Sequence, residues 1–197
     1  MRSTVNIGVA FALVALAGCS YGVRPDQLPV VVDYYAGATD LSGYSGMGIG
    51  AGNTLLGKAG SSDPLRYPAL EVKRCNAEMT ACALGLVDLT SQVTILEVDP
   101  STAKVQVVLD YRVGKEVRHE WMGSRVISTL PSDVEVINDS GQVTRSAEIP
   151  YGVVRSVVLP YGVALTLCVS PPGTSNLDER PCSENLRVRD PSVVPTL

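Results

Sequence analysis

Alternation of apolar and polar residues is the clearest pattern in this chain of 197 residues. Between residues 104 and 113 the apolar side chains fall on every second position, which is the period of a half-buried antiparallel strand. The alternation resumes at Val117 after Gly114-Lys115, a dipeptide that suits a two-residue hairpin turn. An earlier strand ends at the turn sequence Asp99-Pro100-Ser101-Thr102. The pattern therefore predicts a three-stranded meander over residues 91–127.

The other apolar runs are also short and are separated by turn residues. Val30-Val31-Val32 and the alternating run 163–169 contain the β-branched residues that are typical of strands. Asp139-Ser140-Gly141 indicates a turn between two further strands. About nine or ten strands at this spacing predict an antiparallel β-sandwich, with a partly open β-barrel as the alternative.

A glycine-rich segment, residues 36–62, interrupts the pattern and is predicted to be a loop. Glycine occupies every second position from Gly46 to Gly52, a spacing that matches neither the dinucleotide-binding fingerprint nor the P-loop. One interpretation is a surface loop; the other is a small-residue segment that orders against a protein partner or a membrane surface. On the second interpretation, the candidate partner-binding residues are Gly46, Met47, Gly48, Ile49 and Gly50.

The N-terminal segment carries the most specific motif. Arg2 precedes an apolar run over residues 5–17, which is the composition of a secretory signal peptide and is too short to cross a bilayer. Leu16-Ala17-Gly18-Cys19 resembles the lipobox of bacterial lipoproteins. The resemblance implies cleavage before Cys19 and acylation of that cysteine. The absence of an acidic residue just after it resembles lipoproteins that are delivered to the outer membrane. The alternative is an ordinary signal peptide with a chance cysteine near its cleavage site.

These features predict three segments: a signal peptide over 1–18, a lipidated tether over 19–28 and a single, mainly β domain over 29–197. The last residues, 190–197, are expected to form a loose tail. The domain is expected to face the periplasm from an outer-membrane anchor.

Four cysteines remain besides Cys19, and an even number in an exported chain indicates two disulfides. Three connectivities can join them. Local pairing, Cys75 with Cys82 and Cys168 with Cys182, is favoured because each pair closes a short loop that contains turn-forming residues. A metal site is disfavoured, since the spacings lack the close C-x2-C pairs of zinc sites.

Composition and charge narrow the range of partners. The formal net charge is −4 and lysine and arginine form no cluster, so nucleic acid and anionic lipid headgroups are poor partners. Apolar residues make up 45% of the chain and charged residues 18%, which is typical of a folded domain. The expected partners are the membrane, through acyl chains on Cys19, and protein in an envelope complex.

Residue types of the common catalytic sites are scarce. His119 is the single histidine, and no serine lies in a G-x-S-x-G turn. We predict that His119 is buried or half-buried and has a hydrogen-bond partner. The repeat of Pro150-Tyr151-Gly152-Val153 at Pro160-Tyr161-Gly162-Val163 is interpreted as two turns built alike. We expect neither enzymatic activity nor a cofactor.

Two classes of function remain. The first is a structural or assembly role, in which the anchored protein docks to a secretion, pilus or other trans-envelope machine. The second is a periplasmic ligand-binding or inhibitor module for a glycan, a lipid or a protein target. A solvent-facing aromatic cluster would favour the second class. Tyr34, Tyr35, Tyr44 and Tyr67 are the residues that could form one.

Overall fold

A computed structural model describes residues 28–42, 50–121, 124–174, 181–182, 186–187 and 190–197 of the chain. Its strands in chain order are β1 (Val30–Ala38), β2 (Gly50–Gly57), β3 (Ser62–Arg66), β4 (Leu70–Cys75), β5 (Cys82–Val98), β6 (Thr102–Gly114), β7 (Glu116–Trp121), β8 (Ser124–Thr129), β9 (Glu135–Val136), β10 (Asp139–Pro150), β11 (Arg155–Val158) and β12 (Val163–Ser170). Short 3-10 helices cover Asp40–Ser42, Pro160–Gly162 and Pro191–Val193. None of the helices in these ranges is long and apolar enough to cross a membrane.

Two sheets contain most of the strands. The four-stranded sheet has the order β11-β12-β1-β2, and the six-stranded sheet has the order β10-β6-β5-β3, with β4 and β9 also paired to β5. β7 and β8 form a separate hairpin. Every pairing is antiparallel except that of β5 with β9. The six-stranded sheet is thus built around β5, which is 17 residues long.

The hydrophobic core lies between the two sheets. β1 contributes Val30, Val32 and Tyr34, and β6 contributes Val107 and Leu109; all five side chains are at most 1% exposed. Full burial of an aliphatic side chain of this size stabilises the fold by about 1.5–3 kcal/mol relative to exposure. The predicted antiparallel β-sandwich is confirmed, and the described strands do not close into a barrel. The structure has twelve strands in these ranges rather than nine or ten.

The predicted meander over residues 91–127 is correct only in its first part. β5 pairs with β6, but β7 leaves β6 and pairs with β8. The other edge of β6 is taken by β10, which starts at Asp139, so the predicted turn at that position is wrong. The hairpin of β7 and β8 has its own apolar cluster, in which Val117 and Leu130 pack with Leu86 of β5. Burial in this cluster stabilises the hairpin without pairing to β6.

The glycine-rich segment is only partly a loop. Gly50–Gly57 form β2, which pairs with β1 as an edge strand of the four-stranded sheet. The prediction of a loop over 36–62 is therefore wrong for β2, and it is also wrong at its two ends, which belong to β1 and β3. Glycine and asparagine have low strand propensity, so the local pattern did not indicate a strand. Pairing with β1 and burial of Leu55 stabilise this strand despite the low strand propensity of its sequence.

The C-terminal residues are held against β11. The Ser156 N–H donates a hydrogen bond to the Pro195 carbonyl oxygen (3.0 Å), and the Leu197 N–H donates to the Ser156 carbonyl oxygen (2.9 Å). Pro191 is buried, and Leu197 packs against the core. The expectation of a loose tail over 190–197 is therefore wrong. These residues instead cover the edge of β11, which would otherwise present unpaired backbone groups.

The two Pro-Tyr-Gly-Val segments are turns of related construction, as expected. Gly152 has φ of 77° and Gly162 has φ of 71°, in the left-handed region that glycine adopts without steric cost. A Cβ at Gly162 would also lie 2.8 Å from the Leu41 carbonyl oxygen. Both the turn conformation and the close approach of the backbone therefore require glycine at this position.

Candidate functional site

The structure places only part of the predicted sites. Cys19 and the run Gly46-Met47-Gly48-Ile49 lie outside the described residues. Gly50 begins β2, and its close contact is with this same chain, since a Cβ there would lie 2.6 Å from Cζ of Tyr35. A Cβ on Gly52 would lie 3.2 Å from Cδ2 of the same ring. The glycines of β2 thus leave room for the ring of Tyr35.

The C-terminal part of the chain covers the two central strands, β12 and β1, on the outer face of the four-stranded sheet, whereas Leu56 of β2 and Val158 of β11 remain exposed at its edges. The Arg187 guanidinium lies 5.3 Å from the ring centroid of Tyr35. The Thr166 hydroxyl donates a hydrogen bond to the Leu186 carbonyl oxygen, and Cys168 forms a disulfide with Cys182. As a result, all eight residues of β12 are buried, on both faces of the strand.

Both disulfides join the cysteines that local pairing predicts, so that prediction is confirmed. Cys75 and Cys82 are directly opposite each other where β4 leads into β5. The turn between them is held by Asn76, whose Oδ1 accepts hydrogen bonds from two backbone N–H groups. Cys168 and Cys182 instead join β12 to the segment that covers it.

The tyrosines considered for an aromatic cluster do not meet at the surface. Tyr34 and Tyr67 are each 1% exposed, inside the sandwich. Tyr35 lies beneath Arg187, and Tyr44 is outside the described residues. Tyr34, Tyr35 and Tyr67 therefore do not form the solvent-facing cluster that would favour a binding module, because Tyr34 and Tyr67 are buried and alternation in β1 sends Tyr34 and Tyr35 to opposite faces of the sheet.

The two buried tyrosines have hydroxyl partners near β3. The Tyr34 hydroxyl donates to Oδ2 of Asp63 (2.6 Å), which also accepts from Nδ2 of Asn53 (2.8 Å). The Tyr67 hydroxyl lies 2.8 Å from Oγ of Ser91. Burial raises the pKa of both phenols above their usual value, and the Asp63 carboxylate raises the pKa of Tyr34 further. These polar groups satisfy one another and hold β1 to β3 across the sandwich.

A second aromatic group, which the sequence interpretation missed, lies at one end of the sandwich. The Tyr161 hydroxyl donates to Oδ2 of Asp139 (2.8 Å), and the Arg74 guanidinium lies 5.8 Å from the Tyr161 ring centroid. Burial, followed by the Asp139 carboxylate, raises the pKa of Tyr161, and Tyr111 nearby contributes in the same direction. The repeated Pro-Tyr-Gly-Val motif was the signal that could have drawn attention to Tyr161.

None of the described residues covers the middle of the outer face of the six-stranded sheet. Two adjacent rows of cross-strand partners run over β3, β5, β6 and β10 on this face. None of their side chains is charged and none is buried. We call these residues the uncharged face: Ser62, Thr94, Gln106 and Ser146 in one row, and Pro64, Gln92, Val108 and Thr144 in the other.

Side chains of the uncharged face bond to one another. Oγ of Ser62 lies 2.9 Å from Oγ1 of Thr94 and accepts a hydrogen bond from Nε2 of Gln92 (3.0 Å). Nε2 of Gln106 donates to Oγ of Ser146 (3.4 Å). Contacts of this kind reduce the side-chain freedom that binding would otherwise remove, so the face is partly preorganised.

Charged side chains border the uncharged face. Beyond one row, Lys104 and Glu148 are cross-strand partners. Beyond the other, Arg66 makes a two-pronged ion pair with Asp88 (3.0 and 2.6 Å) and donates to the Arg118 carbonyl oxygen (2.8 Å). Arg66 thereby links the edge of this face to the hairpin of β7 and β8.

A groove of about 360 Å³ runs along the Arg66 border. The side chains of Arg66, Asp110, Thr90 and Gln92 give its lining a cationic group, a carboxylate, a hydroxyl and an amide, so the groove can bond to both donors and acceptors. The lining residues are Pro64, Leu65, Arg66, Thr90, Ser91, Gln92 and Asp110.

His119 lies on the inner side of the β7–β8 hairpin. It is buried, as predicted, with 8% of its surface exposed. The predicted hydrogen-bond partner is not found within the described part of the chain, where Nδ1 is unpaired. No group of three or more His, Cys, Asp or Glu residues in these ranges could hold a metal ion.

The fold and surface therefore define an all-β sandwich with two disulfides, in which the described C-terminal residues cover the centre of one outer face and none of the described residues covers the uncharged face on the other. Comparisons with family models, with curated proteins and with solved structures gave no match to this chain.

Proposed function

We propose that this chain is a lipid-anchored envelope protein with a structural or assembly role, and that it docks to a protein partner through the uncharged face and the adjoining groove. The single observation that carries the proposal is the contrast between the two sheets. On one outer face the chain's own C-terminal part covers the central strands, whereas the other outer face carries the uncharged face, which no described residue covers and which charged side chains border.

The proposal is supported by the low free-energy cost of removing such a face from water. Charged groups are expensive to desolvate, and the centres of protein interfaces are accordingly depleted of them. The uncharged face places Gln106 and Val108 at its middle, with Lys104 and Asp110 outside the two rows. This arrangement shares one feature with the usual anatomy of an interface, the exclusion of charged side chains from the centre.

The anchor is supported by the sequence. Leu16-Ala17-Gly18-Cys19 resembles a lipobox, and stable anchoring needs two or more membrane signals, which multiple acyl chains on one cysteine supply. The serine substitution Cys19→Ser should leave the protein uncleaved or free of the membrane. Intact mass of the membrane-bound protein should show added acyl groups on the wild type alone; an unmodified N-terminus on the wild type would contradict anchoring.

Docking can be tested with a charge placed in the middle of the uncharged face. Gln106→Lys should reduce the amount of partner recovered with the protein from detergent extracts. Ala77→Lys, in the exposed turn between β4 and β5, adds the same single charge; it is the matched control and should leave recovery unchanged. Both variants should unfold at the temperature of the wild type. Equal recovery in the wild type and both variants would contradict docking through this face.

The groove supports the alternative function, that of a ligand-binding module. Arg66, Thr90 and Asp110 could orient a small polar ligand such as a glycan. On that alternative, Asp110→Asn would abolish binding of glycan fragments by the purified protein, while Gln106→Lys would leave protein complexes intact. A result of that kind would replace the assembly role with the binding role.

A further inference from the structure

β10 presents a long open edge on the six-stranded sheet. It is 12 residues long and pairs with β6 over its whole length without a shift of register. Its other edge pairs with no strand among the described residues. Two other edges are protected, since the C-terminal residues cover β11 and the five-residue β3 contains Pro64. An open edge of this length is a template for another strand.

Three observations show which backbone groups of β10 point outward. The Ser140 N–H bonds to its neighbour's side chain, Oδ1 of Asp139 (2.8 Å). The Thr144 carbonyl oxygen accepts from Nη1 of Arg145 (3.0 Å). Pro150, the last residue of the strand, has no backbone N–H, and no hydrogen bond to β6 is lost if this position faces outward. Successive residues direct their backbone groups alternately to the two sides of a strand, so the even-numbered residues of β10 face the open edge.

We propose that β10 pairs with β10 of a second copy of this chain, antiparallel and centred on Gln142. In that register Ser140 stands opposite Thr144 of the second copy. The Ser140 N–H and the Thr144 carbonyl oxygen, each now bonded to an adjacent side chain, bond to each other across the edge. Because the two copies are related by two-fold symmetry, the pairing of Ser140 with Thr144 occurs twice in the dimer.

Charge complementarity selects this register and this partner. The side chains released from the two backbone groups are Arg145 and Asp139, of which Asp139 keeps the hydrogen bond that its Oδ2 accepts from the Tyr161 hydroxyl. They stand opposite each other in the same register, and a directly opposed pair of unlike charges stabilises strand pairing. In the isolated chain these two side chains protect the edge; in the pair they join the two copies.

The proposed pairing also matches the faces of the sheet. Gln142 lies opposite Gln142 of the second copy, on the side of the uncharged face, and Val143 lies opposite Gly141 on the other side. The contact is self-complementary about a two-fold axis, so it uses up the edge and closes as a dimer rather than a fibre.

Engineered cysteines in the purified full chain test the register. Opposed residues in a hydrogen-bonded antiparallel pair have Cα atoms about 5.5 Å apart, within the range that a disulfide spans. Gln142→Cys should therefore cross-link into a disulfide dimer on mild oxidation. Thr144→Cys, on the same face of the same strand, is the control: its two copies would be about 14 Å apart, from four residues at about 3.4 Å each. We expect at least about tenfold less cross-linking at Thr144→Cys.

Charge reversal tests the pairing without a cross-link. Arg145→Asp places like charges opposite each other twice and should weaken the dimer about tenfold or more in sedimentation equilibrium. Arg112→Asp, an exposed residue on the neighbouring strand β6, should leave the association unchanged. A wild-type protein that sediments as a monomer at micromolar concentration would overturn the proposal. So would equal cross-linking at both cysteine positions, or a dimer that tolerates Arg145→Asp. None of these outcomes depends on a docking partner, so they leave the proposed function to its own test.

Discussion

Loss of the disulfide between Cys168 and Cys182 should destabilise the domain more than loss of the one between Cys75 and Cys82. The sequence separations are 14 and 7 residues. Restriction of the unfolded chain over loops of these lengths contributes about 3 and about 2.5 kcal/mol, respectively. Loop length alone therefore separates the two disulfides by only about 0.5 kcal/mol.

Contacts in the folded state widen the difference. Two contacts lie a few residues beyond Cys182. The Leu186 carbonyl oxygen accepts a hydrogen bond from Thr166, and the Arg187 guanidinium lies over the ring of Tyr35. A hydrogen bond contributes about 1 kcal/mol and an exposed cation–π contact about 0.5–1 kcal/mol, and both weaken if the covering segment is released. The turn between Cys75 and Cys82, by contrast, keeps its own hydrogen bonds. The expected difference between the two losses is about 2 kcal/mol.

Urea unfolding of two double variants, followed by far-UV circular dichroism, measures this difference. Cys168→Ala with Cys182→Ala should lose about 2 kcal/mol more free energy of unfolding than Cys75→Ala with Cys82→Ala. Hydrogen exchange should increase in β12 in the first variant only. Equal losses, or a larger loss for the Cys75–Cys82 variant, would refute the idea that the covering segment depends on its disulfide.

Three further predictions concern contacts of β1 and of the buried tyrosines. Gly52→Val should cost about 1–3 kcal/mol in thermal unfolding, because its Cβ would lie 2.5 Å from the Tyr34 carbonyl oxygen; a wild-type melting temperature would argue against this contact. Tyr34→Phe should cost about 1.5–3 kcal/mol by removing the hydrogen bond to the Asp63 carboxylate, and a neutral effect in urea unfolding would be inconsistent with it. Because the folded-state pKa values of Tyr34 and Tyr67 are raised, their contribution to stability is complete below the unfolded pKa of about 10 and is lost as the pH rises above it. Tyr34→Phe should flatten that alkaline loss, and an unchanged pH profile would count against the burial argument.

Features set by local sequence were predictable. The alternation around Leu109 identified β6, and the short spacing from Cys75 to Cys82 identified a bridged hairpin; both depend on residues close in the chain. The cysteine pair at 168 and 182 followed the same rule. Periodicity and loop closure act over a few residues, which is why a single sequence could indicate them.

Features set by distant contacts were not predictable. Gly50 and Gly52 lie in a strand because β1 and the ring of Tyr35 lie beside them, and the sequence of the glycine run indicates neither contact. The sequence of the C-terminal residues is typical of a loose tail. In the folded chain they are held by hydrogen bonds to the backbone of Ser156, which is distant in sequence.

The uncharged face is likewise a result of the fold. The polar positions of β5 and β6 were visible as the outward half of an alternating pattern, but alternation does not say which outward face another segment covers. Thr166 in β12 is also polar and outward, yet it lies under Leu186. Only the three-dimensional arrangement distinguishes the open face, and with it the candidate docking site.

The pairing of β1 with β12 has a consequence for the order in which the molecule is made. A hydrogen bond joins Thr166 to the Tyr35 carbonyl oxygen across 131 positions of sequence, so the centre of the four-stranded sheet waits for almost the whole chain to emerge. The six-stranded sheet contains the local hairpins β4–β5 and β5–β6, which can form on shorter stretches and therefore sooner. Until the last strand arrives, the valines of β1 have no neighbour on that side. During that interval the exposed apolar side chains and the unpaired edge of β1 make the incomplete chain prone to aggregation.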